Sequence, residues 1–476
     1  MRLAKSITYK KINELRIKLQ LASWLLFLLV VSLNGPLSAQ DNSPYSRYGI
    51  GDLVSSTNVN NRSMGGLSAG YNDALSVNFN NPASFAAFQA WKEKKSNKLS
   101  SGRVVLDMAV NVDNRTLRDP QKAQRFRASN ALFSYVQVGI PLRKNWGMSF
   151  GLRPVSRISY KIDRYERLFD PITGANIDSA VTQFEGDGGS YIGSIGTGIS
   201  VFSKDRKGIE EKLSVGVNAG YFFGRKNYNS RRSFLNDTVA YYQAKFQQTT
   251  NFGNLGLQAG LQYQRPLNKK MVLTLGAFGQ LGQTIRARQD VVRETFFFDQ
   301  SQGQLRLDSI SDIREIPGQL LLPASYTAGF TLQKFAVPNK EGGWLFGIDY
   351  THQPWADYRF YGKADSLRDK WEIRMGAQIT PVPKRSYVSN VSYRFGFFGG
   401  PDYIQLGKTL PQVGASLGLG LPVGISRQAP NQVTFVNLAF EFIRRGNNNS
   451  PLQENLFRLS LGFSLSDIWF IKRQYD

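Results

Sequence analysis

The feature that most constrains this chain is a strict two-residue alternation, repeated in long segments separated by turn residues from about Arg103 to the end. In Trp146–Tyr160, Trp146, Met148, Phe150 and Leu152 alternate with Gly147, Ser149, Gly151 and Arg153. At Met271–Arg288, Met271, Leu273, Leu275, Ala277, Leu281 and Ile285 oppose Thr274, Gln280, Thr284, Arg286 and Arg288. Trp371–Thr380 and Asn455–Phe470 repeat the pattern. Side chains on a strand point alternately to two faces, so each segment is a strand with one apolar face. The segments run 10 to 20 residues. A strand of a soluble sheet averages about five or six residues, whereas a tilted membrane-crossing strand needs about nine to eleven.

Between 103 and 471 about 14 such strands are predicted, an even number of the kind that closes a bacterial barrel. Short connectors (143–145, 204–211, 268–269, 336–342, 383–386 and 424–430) alternate with longer ones around 114–130, 162–188, 228–245 and 290–316, although the last three outer connectors are short. The fold class expected is all-β, a closed antiparallel transmembrane barrel with short periplasmic turns, long outer loops and both mature termini on the periplasmic side. Trp146, Trp344, Trp355, Trp371 and Trp469 fall near strand ends, where interface girdles need aromatics.

Composition agrees with that class. The chain has 45 Gly, 21 Tyr, 32 Phe and 7 Trp but only 41% hydrophobic residues, because a barrel needs apolar residues at alternate positions only. There is no cysteine, which argues against a disulfide-built secreted domain. The first forty residues carry Arg2, Lys5, Lys10, Lys11, Arg16 and Lys18 before an apolar run, Leu21–Leu33. That run is too short to span a bilayer and is followed by Leu37-Ser38-Ala39, a small-residue cleavage pattern. Residues 1–40 are therefore expected to be a secretory signal peptide, with an uncleaved anchor as the other reading. Removing the leader's six basic and one acidic side chains from 59 and 35 leaves a surplus of about 19 positive charges. In an exported protein such a surplus points to outer-membrane lipids or lipopolysaccharide, an acidic partner protein or an anionic ligand, and away from nucleic acid.

Residues 41–100 differ from the rest, being rich in Asn, Ser and Gly with a helix-compatible patch at 82–95, and their expected place is inside the lumen. Ser43-Pro44-Tyr45-Ser46-Arg47-Tyr48-Gly49, Met64-Gly65-Gly66-Leu67, Asp73-Ala74-Leu75-Ser76 and Asn80-Asn81-Pro82-Ala83-Ser84 resemble the N-terminal hatch of the FadL/TodX family. The likeness is closer to the FadL-like barrels of Bacteroidota, whose endings are similar to Trp469–Asp476. The resemblance implies a 14-stranded barrel (101–476) plugged by a hatch (41–100) that imports hydrophobic compounds such as long-chain fatty acids. It implies a hatch motif of Gly65, Gly66, Asp73, Asn80, Asn81 and Pro82, and a lateral exit at a kinked strand. Pro154 is the candidate kink, since proline cannot donate to a ladder, an ordinary strand-end proline being the alternative. The same group includes barrels that transport nothing and serve as accessory subunits of protein-secretion or barrel-assembly complexes.

Chemistry is sparse. The one histidine, His352, stands beside Trp355 in Tyr350–Trp355 and reads as an interface residue, so neither an enzyme nor a metal or other cofactor is expected. The richer constellation is a set of arginines expected on the inner face: Arg153, Arg157, Arg286 and Arg374, with Arg394 and Arg458, against inner carboxylates Glu372 and Glu441. They either brace hatch to wall, with Asp52 and Asp73 as partners, or hold an anionic head group by paired hydrogen bonds.

Overall fold

The structure, a computed structural model, describes residues 43–92, 99–121, 125–206, 208–235, 242–299, 301, 303–423 and 431–470. The expected signal peptide, the 424–430 connector and 471–476 lie outside the described residues. Fourteen antiparallel strands form a closed barrel. They are β1 (Leu99–Arg118), β2 (Arg125–Arg143), β3 (Trp146–Phe169), β4 (Asn176–Arg206), β5 (Ile209–Phe234) and β6 (Gln243–Pro266). Then come β7 in two pieces (Met271–Gln280, Gln283–Asp299) and β8 in two (Gly303–Leu322, Ser325–Lys334). β9 (Gly343–Gln353), β10 (Lys370–Thr380), β11 (Ser392–Leu406), β12 (Lys408–Val423), β13 (Val433–Arg445) and β14 (Gln453–Trp469) complete the wall. β14 closes on β1, from Gln453 opposite Arg118 to Trp469 opposite Gly102, which leaves no free outer edge at the seam.

The long connectors expected at 162–188, 228–245 and 290–316 are largely strand. β3 and β4 stay paired out to Phe169 opposite Asn176, and β7 and β8 out to Asp299 opposite Gly303. Their outer halves are largely half-buried or exposed and have no continuous apolar face, so they carry no alternation to read. The connector after β9 behaves differently. Pro354–Asp369 turns inward, and Trp355 is buried against Tyr403 at 4.8 Å between ring centres. Trp355 is therefore a core residue over the lumen and not part of the girdle.

The segment 43–89 fills the barrel. Asn58 caps a single helical turn, Val59–Arg62, by accepting from the Asn61 amide at 2.8 Å. Asn81 caps a 3-10 turn, Pro82–Ala87, through the Ala83 amide at 3.1 Å. Met64, Leu67, Val59, Val77 and Phe85 are buried. Wall glycines make the fit possible. A methyl group at Gly376 or Gly396 would overlap the Met64–Gly65 backbone, and one at Gly216 the Pro82–Ala83 backbone. Much of the chain's glycine content is thus the contact surface for its plug.

Candidate functional site

The hatch motif residues shape the plug and join it to the wall. Gly65 and Gly66 have φ of +68° and +89°, a region glycine enters freely, and the Gly65 amide donates to Ser416 Oγ at 2.9 Å. Asn80 offers its carbonyl to Gln258 Nε2, Asn81 donates to the Ala69 carbonyl at 2.8 Å, and Pro82 opens the 3-10 turn. Asp73 accepts from the Leu75 amide and from Ser76 and Tyr71, so it shapes a turn and pairs with none of the expected arginines.

Asp52 does meet arginines, but ones the sequence did not single out. Its carboxylate accepts from Arg115 at 2.6 Å and Arg445 at 3.0 Å. Arg115 and Arg445 also reach Glu454, at 2.9 and 3.3 Å, and Arg445 pairs with Asp402. Ser43 Oγ donates to Glu454 at 2.6 Å, which ties the start of the described hatch to the long-connector end of the barrel. Burial by itself would raise the Asp52 carboxyl, but Arg115 and Arg445 hold it well below the usual carboxylate range. Arg62 forms a second anchor. It is buried, donates to Asn111 at 2.8 Å and to the Thr57 carbonyl at 2.9 Å, and lies 3.8 Å from Glu441. A third grips Gly49, whose carbonyl accepts from buried Lys226 at 2.5 Å and whose amide donates to Asp365 at 2.7 Å. Asp365 belongs to the inward-turned connector, so hatch and lid are tied at one residue.

The expected inner arginines divide. Arg374 pairs with Glu372 at 2.5 Å, Arg458 holds Asp113 by two bonds of 2.7 and 2.8 Å, and Arg394 donates to hatch Asn60 at 3.0 Å. Arg157 sits opposite Asp52 in a two-residue hatch strand, Asp52–Leu53, added to the edge of β3. Arg286 does not face the lumen. Gln258 of β6 lies opposite Gln280, and Gly253 opposite Arg286, so six residues of β7 run against five of β6 across Leu281–Gly282. One extra residue turns every later side chain to the other face. Ile285 and Ala287 point inward and are buried, whereas Arg286 and Arg288 are exposed on the outer wall.

Arg374, Arg458 and Arg153 line one cavity of about 240 Å³ between plug and wall. Its charged lining is mutually paired through Asp52, Glu372, Glu441 and Glu454, and its apolar part is made by Val54, Val155, Ile192, Phe222 and Leu322. Arg153 is the exception. Among the described residues it has no ion pair, and its guanidinium stands 5.5 Å from the centre of the Phe79 ring. It lies next to a defect in the wall. β2 and β3 pair only from Arg143 opposite Trp146 to Val136 opposite Leu152, and a register shift follows at Pro154. Beyond it the edge of β3 is taken up by the hatch, with the Val54 amide donating to Val155 at 3.0 Å.

Comparison with known proteins gives a family and a fold. A family model described as BamG matches residues 20–476. No curated protein sequence matches. Among solved structures, a Pseudomonas aeruginosa FadL homologue is 12% identical, with 88% of this chain and 100% of that one covered and a TM-score of 0.51. The Pseudomonas putida toluene transporter TodX is 14% identical over 86% of this chain and 97% of that one, at a TM-score of 0.47. The CymD monoaromatic hydrocarbon channel is 14% identical over 89% and 99%, at 0.45. At such identity the FadL homologue speaks for the shared fold.

Proposed function

We propose, from the premise that this chain belongs to the BamG family, that it is a non-transporting accessory subunit of an outer-membrane protein-secretion or barrel-assembly complex. The observation that carries this reading is the anchoring of the plug. Three separate sets of buried polar contacts, around Asp52, Arg62 and Gly49, tie the hatch to β1, β5, β13, β14 and the lid. Taking one partner out of a buried ion pair costs about 3–5 kcal/mol. A plug held by several such contacts is a fixed part of the wall and a poor gate. On this reading the chain carries no catalysis, the short-connector end with the C-terminus faces the periplasm, residues 1–40 are removed as a leader, 41–100 are the hatch and 101–476 the barrel. The barrel is then a rigid body in the membrane that partner proteins grip.

The second reading, import of hydrophobic compounds such as long-chain fatty acids, is favoured by one observation. The unpaired Arg153 and the apolar cavity lining meet beside the β2–β3 defect at Pro154, an arrangement suited to a carboxylate with an apolar tail. Mass spectrometry of the protein purified in mild detergent separates the two. Stoichiometric recovery of other envelope proteins, without a bound amphiphile, is the expected result. A fatty acid or similar lipid bound near one to one, with no protein partner, would transfer the assignment to transport. In that case Arg153→Gln with Arg157→Gln should weaken binding of the acid.

A further inference from the structure

The one-residue slip that takes Arg286 out of the lumen places it among other arginines on the outer wall. On the outer wall, Arg225 of β5 lies opposite Asn251 of β6, and Asn251 lies opposite Arg288 of β7. Adjacent strands are about 4.8 Å apart, so Arg225 and Arg288 stand about 10 Å apart across this row with the Asn251 amide between them. Arg286, opposite Gly253, sits two residues nearer the short-connector end. All three arginines are exposed. Arg225 and Arg286 have no hydrogen-bond or ion-pair partner among the described residues. Arg288 approaches Glu315 at 3.5 Å, both side chains being 72% exposed, and Asp290 is the other acidic neighbour. Such an exposed pair is weak and readily exchanged. Gly253 supplies no side chain, and Arg286, Arg288, Asn251 and Tyr221 border an open recess of about 950 Å³.

Directly below the row the outward side chains change character. Tyr221 and Phe223 on β5, Leu255 and Leu257 on β6 and Leu321 on β8 are apolar and 38–69% exposed. The first piece of β7, ten residues from Met271 to Gln280, is long enough to cross a hydrocarbon core. The slip and the arginines therefore lie where the apolar band ends. A cationic row on top of an apolar band matches a molecule with a phosphate head and acyl tails lying along the wall.

We propose that this recess holds the phosphate group of an outer-leaflet lipid, with Arg225, Arg286 and Arg288 as its ligands and the Tyr221–Leu255 band under its acyl chains. Arginine suits the task because its planar fork gives a phosphate two parallel hydrogen bonds. The site lies on the outside of the wall, so it is independent of whether the lumen carries anything. It rests only on the orientation given above, with the long hairpins outward.

The test is binding to the detergent-purified full-length protein by native mass spectrometry, with three probes: lipid A, enzymatically dephosphorylated lipid A, and inorganic phosphate. The variant is Arg225→Gln with Arg286→Gln and Arg288→Gln. The control is Arg127→Gln with Arg164→Gln and Arg167→Gln, which removes the same charge from hairpins farther from the apolar band. Retained heat-modifiable migration on gels shows that both fold. The expected result is at least a tenfold loss of lipid A affinity in the variant alone, no difference for the dephosphorylated lipid, and no measurable binding of inorganic phosphate. Equal lipid A binding by wild type and variant would overturn the site. An equal loss in the control would reduce it to bulk charge, and tight binding of inorganic phosphate alone would make it a free-anion site instead of a lipid site.

Discussion

At the residue scale the plug is held by a few groups, and Asp52 is the most exposed to test. Asp52→Asn takes one carboxylate from both Arg115 and Arg445 while leaving Glu454 and Asp402 in place. A loss of about 3 kcal/mol is expected, seen as a lower unfolding temperature and as new protease cleavage within 43–54. The pH dependence follows from the lowered Asp52 carboxyl. A group whose folded value is depressed stabilises above the ordinary carboxylate range, and that stabilisation is lost as pH falls through the folded value. The contribution of Asp52 to holding the hatch should therefore stay constant from pH 7 down to about 4 and be lost only in stronger acid, read as the difference in protease resistance between wild type and Asp52→Asn. Gly396→Ala tests the contact surface from the wall side. Its methyl would strike the Met64–Gly65 backbone and should cost about 1–3 kcal/mol. Arg374 and Arg458 were legible as inward because they sit within clean alternation. Arg62, Arg115 and Arg445 were not, because their partners come from Glu441, Glu454 and Asp52, far along the chain, and no local pattern marks such pairs.

At the element scale, the strands that cross the apolar band were readable because lipid outside and plug inside impose different chemistry on alternate residues. Elsewhere that contrast between the two faces is missing or displaced. The outer halves of β3–β8 have no continuous apolar face to read, and the single extra residue at Leu281–Gly282 reversed the faces of Arg286 and Ile285 without disturbing the alternation itself. Pro154 lies at a local irregularity: the β2–β3 ladder stops at Leu152 and the β3–β4 register shifts right after Pro154. Pro154→Val restores a backbone donor to β3. If the proline causes the gap, the variant should show slower amide exchange across Phe133–Val136 and 152–155, and bound amphiphile, where there is any, should leave more slowly. Unchanged exchange would mean that the inserted hatch strand, and not the proline, keeps β2 and β3 apart.

At the scale of the whole molecule, a FadL-type wall surrounds a plug bonded to it at several depths, with the Pro354–Asp369 lid folded over the top. Fold and family leave the role of such a barrel open, but the anchoring favours a sealed body that contributes surfaces to an assembly. Deleting 43–88 should leave the wall strands paired, since they close through β1 and β14 without the hatch, while opening the lumen. The most direct test is single-channel recording in planar bilayers from the wild-type protein and this deletion. The expected record is a wild type with no stable conductance and a deletion variant with large, steady openings. Steady conductance by the intact protein, or openings that come and go at neutral pH as a moving plug would give, would contradict the fixed plug and the non-transporting role built on it.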